Sequence, residues 1–184
     1  MTTTTSFRVF LACAAVALAG FASPALGKSA EEIDAQVNAS IKEFKKEVGA
    51  AEELMNKAAG VLVFPSVIKA GIGIGGEYGE GALRIGGKTA DYYSTAAGSL
   101  GLQLGAQAKT VIILFMVESA LKDFRNSQGW EAGVDGSVAL VQVGAGGSVD
   151  TTNIKDPIIG FVFGQKGLMY NLTLEGSKMT KLKR

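Results

Sequence analysis

The chain contains no histidine, and its single cysteine, Cys13, lies inside an N-terminal apolar run. The lack of an imidazole excludes Ser-His-Asp and Cys-His catalysis, histidine zinc sites and a histidine pH switch. The lack of a second cysteine excludes an internal disulfide and a thiolate zinc site. The chain also has no large excess of charge of either sign, because it has 18 basic and 17 acidic side chains. We therefore expect no nucleic-acid partner, no cofactor and no metal.

The first 27 residues have the pattern of an export signal. Arg8 precedes an apolar run from Val9 to Ala22, and Ala-Leu-Gly at 25–27 resembles a cleavage site. A membrane anchor is the alternative, but the run is shorter than the ~20 residues that a spanning helix needs. The pattern predicts cleavage after Gly27 and a single domain over 28–184. It also predicts an exported protein of the periplasm or cell envelope, peripheral to a membrane.

Residues 29–59 have the spacing of one amphipathic helix. Apolar side chains recur at three- and four-residue steps from Ile33 onward, Ser29 is a candidate N-cap, and Gly60 is a natural stop. We interpret this helix as packed on a core with a solvated outer face. The alternative is a helix that lies on a membrane through Phe44 and three lysines, Lys42, Lys45 and Lys46.

The remainder of the chain, 60–184, has a sequence pattern typical of short strands that are separated by glycines. Strands are predicted at 61–64, where Pro65 ends the strand, at 88–94 after the two-residue hairpin turn Gly86-Gly87, and at 99–107. Residues 111–117 are predicted to form a buried strand, and 118–125 a short helix. A second hairpin joins 158–163 to 168–175, and a basic tail follows. The predicted fold class is α+β: a strongly curved, mainly antiparallel, glycine-rich and barrel-like sheet of about seven strands, with an N-terminal amphipathic helix and a short second helix.

The segment KAGIGIGGEYGEGALR, residues 69–84, contains a G-x-G-x-x-G at Gly71, Gly73 and Gly76. This pattern holds a pyrophosphate only where it opens a helix, and the following Gly79 and Gly81 prevent a helix there. Glycine at alternate positions instead leaves one face of a strand without side chains. A bare face permits close backbone approach, sharp curvature or bulges, or a groove for an acyl chain.

Several aromatic side chains and a pair of carboxylates near this segment have two interpretations each. Glu77 and Glu80 face opposite ways on a strand and make a poor acid-base pair. The aromatic residues are interpreted as core, with a membrane interface as the alternative. They are Tyr78, Tyr92, Tyr93 and Trp130.

Four separated motifs resemble the SYLF lipid-binding domain family. They are KAGIGIGGEYGEGAL (69–83), SLGLQLGAQ (99–107), GWEAGVDGSVA (129–139) and GQKGLMYNLTLEG (164–176). The resemblance covers roughly 60–182 and implies a non-enzymatic domain that binds membrane lipids. In eukaryotic members it implies phosphoinositides, and in some of them actin. It places lipid contact in the N-terminal amphipathic region, here 29–59. The chain resembles exported bacterial members, for which actin is not an expected partner.

The sequence therefore predicts a non-enzymatic, peripheral lipid-binding protein whose partners are membrane lipids, above all anionic phospholipids. Two alternatives stay open: a structural or protein-interaction module of the envelope, whose partner the sequence does not name, and a carboxylate-based hydrolase. The residues expected to contact lipid are basic or aromatic and lie in the helix and the tail. They are Lys42, Phe44, Lys45, Lys46, Lys178, Lys181, Lys183 and Arg184.

Overall fold

The computed structural model describes residues 27–141, 155–166 and 174–184. Within them lie three helices, α1 (Ala30–Glu47), α2 (Ala51–Lys57) and α3 (Glu118–Asn126). The six strands are β1 (Gly60–Ile85), β2 (Lys88–Phe115), β3 (Trp130–Glu131), β4 (Ala139–Leu140), β5 (Ile158–Lys166) and β6 (Lys178–Leu182).

The sheet is organised around one long hairpin formed by β1 and β2. Strand β2 pairs with β1 along one edge, and with β5 and β6 along the other. The short strand β3 extends the sheet beyond β6, and β4 adds to β5 as the parallel pair. The predicted α+β class with a curved, mainly antiparallel sheet is confirmed.

The glycines of 69–84 allow β1 to curl tightly enough for its two halves to meet. A β-carbon on Gly81 would lie against the carbonyl oxygen of Val63 and 2.8 Å from Phe64 Cδ1. One on Gly79 would lie 2.9 Å from the Ser66 carbonyl oxygen. Backbone therefore stacks on backbone where a side chain would not fit. This close approach was one of the predicted consequences of a bare glycine face.

The sheet separates two apolar cores. The first lies inside the curl, where Phe64 and Phe115 pack with Phe124 of α3 and with Trp130. The second lies between the outer face of the sheet and the helices α1 and α2, which contribute residues such as Val37 and Leu54. The buried residues of the strands alternate between the two cores, as Leu62 and Val63 do, according to the period of two.

Asp34 attaches α1 to the tip of the long hairpin. Its Oδ1 accepts hydrogen bonds from Thr89 Oγ1 (2.7 Å) and Arg84 Nη2 (3.2 Å), and its Oδ2 accepts one from Tyr92 Oη (2.9 Å). A single carboxylate thus bonds to three side chains of the hairpin, which fixes the position of the helix along the sheet.

The prediction of one helix over 29–59 is wrong, because two helices fill that range. The first begins as expected, with the Ser29 hydroxyl accepting from the Glu32 amide. It ends at Val48, whose backbone is extended, and the chain turns through Gly49 and Ala50 before α2. Glycine is a poor helix former, which explains a break at this point.

The strands β1 and β2 are longer than the strands predicted for the same residues. The Gly86-Gly87 turn is confirmed, with positive φ angles of 56° and 78°. Pro65 does not end its strand, because a register shift between Phe64 and Val67 removes it from the pairing. The strands predicted separately at 88–94, 99–107 and 111–117 form one strand, β2. The predicted basic tail is a strand, β6, and most of the predicted arm 168–175 lies outside the described residues.

Candidate functional site: the outer face of strand β1

The outer face of β1 is covered by helix at one end and exposed at the other. Ala82 is buried under α1, and Glu80, two residues along, is only 5% exposed. Beyond them on the same face, Tyr78 is 52% exposed and Ile74 is 75% exposed. The alternation of a strand places these four side chains on one surface, so the cover provided by α1 ends near Glu80.

Ile68 and Tyr78 line a cavity of about 480 Å³ at the boundary between the covered and exposed parts. Leu182 of β6 adds a third apolar side chain, and Lys28 and Arg184 add two cations. Ile68 is 54% exposed. The complete lining is Gly27, Lys28, Ser66, Ile68, Tyr78, Gly79, Glu80, Leu182 and Arg184.

Glu80 organises the polar side of this cavity. Its Oε1 accepts from Tyr78 Oη and from Arg184 Nη2, each at 2.8 Å. Its Oε2 accepts from the backbone nitrogen of Lys28, also at 2.8 Å. The contact with Arg184 is an ion pair in which the carboxylate is almost fully buried. The arrangement ties together the start of α1, the middle of β1 and the residues after β6.

The Tyr78 hydroxyl is held in its protonated form. Desolvation, together with the hydrogen bond to Glu80 and the charge of that carboxylate, raises the pKa of Tyr78 above its usual 10.0. The group therefore stays a donor to Glu80 at physiological pH, while much of its ring faces solvent. An aromatic ring with its hydroxyl anchored on the protein is suited to the boundary between water and an apolar phase.

The structure divides the eight predicted lipid-contact residues among separate places. Lys42, Lys45 and Lys46 are exposed near the end of α1, and Lys45 pairs with Glu52 at 3.1 Å. Lys28 and Arg184 both bond to the carboxylate of Glu80, so the two residues lie close together. From Lys28 to Lys45 the helix rises by about 25 Å, at ~1.5 Å per residue. The helix lysines and Arg184 therefore do not share one patch.

The predicted contact of Phe44 with lipid is corrected by the structure. Its ring is 0% exposed and packs on Phe161 and Phe163, with ring centroids 4.8 Å and 5.7 Å away. Phe44 lies on the face of α1 that points into the second core, opposite the lysines. It belongs to the packed interior of the protein.

The predicted residues of the C-terminal segment lie on or just after β6 and are also separated. Lys181 pairs with Asp91 at 2.5 Å, and Arg125 of α3 contacts the same carboxylate at 3.1 Å. Arg184 lies instead beside Glu80. Lys178 and Lys183 are exposed. Strand alternation separates charges that are adjacent in sequence, and the lipid contacts of these exposed cations stay predictions.

Glu77 and Glu80 face opposite sides of β1, as the alternation predicted. Glu77 is directed into the curl, where Lys109 lies 2.8 Å and Lys69 3.4 Å from its carboxylate. The side chains of this trio are 10% exposed or less. Two buried lysines around one carboxylate form a charge cluster that the sequence reading missed, because Lys69 and Lys109 are far apart in the chain.

The sequence reading also missed Ile68 and Ile74 as surface residues. The even spacing of Ile68, Ile74 and Tyr78 was a detectable signal, since alternate residues of a strand share one face. The sequence did not indicate the point on β1 at which helix α1 stops covering the strand.

None of the helices in the described part of the chain is long and apolar enough to cross a bilayer. Within that part, no group of three or more side chains has the makeup of a metal site.

The α+β fold, with a curled, glycine-rich sheet that has an exposed apolar face and cations at its rim, is typical of a small binding domain. Residues 96–184 match the model of the family described as "Ysc84: Las17-binding protein actin regulator". Over this segment, from the middle of β2 onward, the chain matches the Ysc84, or SYLF, family that the sequence motifs resemble, and that family is linked to lipid binding and actin regulation. The segment 69–83 lies before the matched range. No curated protein matches the chain.

Proposed function

We propose that the protein is a peripheral lipid-binding protein that contacts an anionic membrane through the outer face of β1. The observation that carries this proposal is the exposure of Ile74, Ile68 and Tyr78 on one face of β1, where Ile68 and Tyr78 share a cavity with the cations Lys28 and Arg184. Grouped apolar exposure with a polar rim is typical of an interaction surface rather than of ordinary solvent-facing sheet. The protein acts by binding, without catalysis, after export to the periplasm or cell envelope.

The magnitudes support reversible rather than permanent attachment. Full burial of an isoleucine side chain contributes ~1.5–3 kcal/mol, so the exposed part of Ile74 contributes roughly 1–2 kcal/mol when it enters an apolar phase. Each cation near an anionic surface adds ~1 kcal/mol. Lys42 and Lys46 on α1 supply a second, purely electrostatic attraction to the same headgroups.

The test is flotation of the purified protein with vesicles of phosphatidylcholine and phosphatidylglycerol. Ile74→Ser is expected to weaken partitioning about 5- to 30-fold, the range that corresponds to roughly 1–2 kcal/mol. Val134→Ser is the matched control, since Val134 is 73% exposed, lies in the turn that follows β3 and does not line the cavity beside β1. Its partitioning should equal that of the unchanged protein.

The salt dependence separates apolar from electrostatic contact. High salt shortens the screening length below its ~10 Å at 0.1 M and should remove the contribution of the cations. Residual binding at high salt should still be lost in Ile74→Ser. Equal loss of binding in Ile74→Ser and Val134→Ser, or no binding of the unchanged protein to anionic vesicles at low salt, would contradict the proposal.

A protein partner is the second candidate, and the family description favours it because it names a protein that the family binds. The same exposed face would then dock a protein of the envelope. In that case the unchanged protein fails to float with vesicles, yet recovers a stoichiometric partner from envelope extract that Ile74→Ser does not recover.

A further inference from the structure

The backbone nitrogen of Lys28 occupies an unusual position. It donates to Glu80 Oε2 at 2.8 Å, and Glu80 is only 5% exposed. The other oxygen, Oε1, accepts from Tyr78 and Arg184. Among the contacts of the described residues, Oε2 therefore has the Lys28 nitrogen as its partner. The same nitrogen is the atom that the predicted cleavage after Gly27 would convert into a chain terminus.

We propose that Glu80 is the binding site for the α-ammonium group created by cleavage between Gly27 and Lys28. Hydrolysis adds one water across this peptide bond. The water oxygen joins the carbonyl carbon of Gly27, which leaves with the leader as a carboxylate, and both hydrogens of the water end on the Lys28 nitrogen, which becomes an ammonium. An amide hydrogen bond to Glu80 thereby becomes an ion pair, and charge-assisted hydrogen bonds are shorter and stronger than neutral ones.

The surroundings of Gly27 fit this exchange. A β-carbon at Gly27 would lie 2.7 Å from Glu80 Oε1 and in contact with the Arg184 guanidinium. A larger residue immediately before Lys28 would therefore displace the Arg184 side chain from Glu80 while the peptide bond is intact. Departure of Gly27 frees space next to Glu80, and an ammonium has more donors to place there than an amide.

The charge balance favours the processed form. Before cleavage, one carboxylate faces one guanidinium, and the Lys28 side chain is directed away, to Gln36 Oε1 at 2.7 Å. After cleavage, the two oxygens of Glu80 each face a cation. A buried carboxylate is stabilised by a second opposite charge at hydrogen-bond distance. Processing therefore locks the start of α1 onto the middle of β1.

The experiment is a double-mutant cycle on the start of the chain and on Glu80. One chain is released from a cleavable fusion so that its first residue is Lys28, and the other begins at Ala25, so that Lys28 keeps its peptide bond. Each is made with Glu80 and with Glu80→Gln. The chain that begins at Lys28 should melt a few degrees higher than the chain that begins at Ala25, and the difference should vanish with Glu80→Gln.

A second readout tests the ion pair directly. An amine-acetylating reagent, used in limiting amount, should modify the α-amino group of the chain that begins at Lys28 several-fold more slowly than in its Glu80→Gln variant. The side chain of Lys42, which is exposed, serves as the internal reference for reagent activity. Peptide mass mapping reports both sites in one sample.

Three results would overturn the inference. The first is a double-mutant cycle in which the two changes in melting temperature simply add. The second is an equal rate of α-amino acetylation in the unchanged chain and in its Glu80→Gln variant. The third is a mature protein that begins at a residue other than Lys28. Terminal sequencing of the exported protein decides the last point. All of these readouts are made without lipid, so their outcome is independent of whether the outer face of β1 binds a membrane.

Discussion

Substitution of Gly81 by alanine tests whether the close contact within β1 determines the stability of the fold. The added β-carbon would lie 2.8 Å from both Phe64 Cδ1 and the carbonyl carbon of Val63, and closer still to the Val63 oxygen. The obstructing atoms are largely backbone in a paired strand, so they cannot rotate away as a flexible side chain would. The curl must open locally, and the core beneath Phe64 must loosen with it.

The expected cost follows from overpacking. Insertion of one carbon into a well-packed interior costs ~1–3 kcal/mol, and more where backbone must move. We therefore expect Gly81→Ala to lower the free energy of unfolding by about 3 kcal/mol. For a domain of this size, 1 kcal/mol corresponds to a shift of about 2–4 °C in Tm. The melting temperature should fall by roughly 6–12 °C, measured by circular dichroism or calorimetry.

Gly98→Ala is the matched control, because a β-carbon at Gly98 on β2 meets no atom within 4 Å. Its stability should stay within about 0.5 kcal/mol of the unchanged protein, the usual range for surface substitutions. If Gly81→Ala melts at the same temperature as Gly98→Ala, the two halves of β1 do not pack backbone on backbone, and the account of the glycine segment fails.

Three further substitutions and one control test other parts of the structure by chemical denaturation. Phe44→Ala should cost about 3–5 kcal/mol, because it empties a core position, whereas Lys46→Ala should stay within about 0.5 kcal/mol. Asp34→Ala should cost about 2–3 kcal/mol, since it removes the acceptor of three hydrogen bonds. Burial, aided by the charge of Asp91, raises the pKa of Tyr93 to about 12. An unfolded tyrosine ionises near 10.0, so this contribution to stability is complete below pH 10 and is lost as the pH rises toward 12. Tyr93→Phe should remove that part of the alkaline decline, and an unchanged decline would contradict the assignment.

The glycine alternation at 69–84 was sufficient to predict the character of the sheet. Glycine at every second position is a local feature, and its consequence, a face without side chains, is local as well. The hairpin turn at Gly86-Gly87 and the short helix α3 were predicted for the same reason. The break between α1 and α2 was missed because the apolar period continues across Gly49, and periodicity alone does not register a change of helix axis.

The candidate site could not be predicted in the same way, because it depends on contacts that are distant in sequence. Lys28, Glu80 and Arg184 meet at one carboxylate although 104 positions separate the last two. Proximity in sequence was misleading for the basic C-terminal segment: Lys181 and Arg184 are three positions apart, yet they pair with different carboxylates, Asp91 and Glu80.

The exposed face of β1 follows from the lengths of the elements that the chain places together. Helix α1 has 18 residues and is about 27 Å long, at ~1.5 Å per residue. Strand β1 has 26 residues, and at ~3.3 Å per residue its path is roughly 86 Å long. A single packed helix therefore covers only part of the strand, and α2, with 7 residues, adds little. The uncovered part carries Ile68, Ile74 and Tyr78 where polar residues would serve solubility better. Grouped apolar exposure marks an interaction surface, so the unequal lengths of α1 and β1 create the face on which the proposed membrane contact rests.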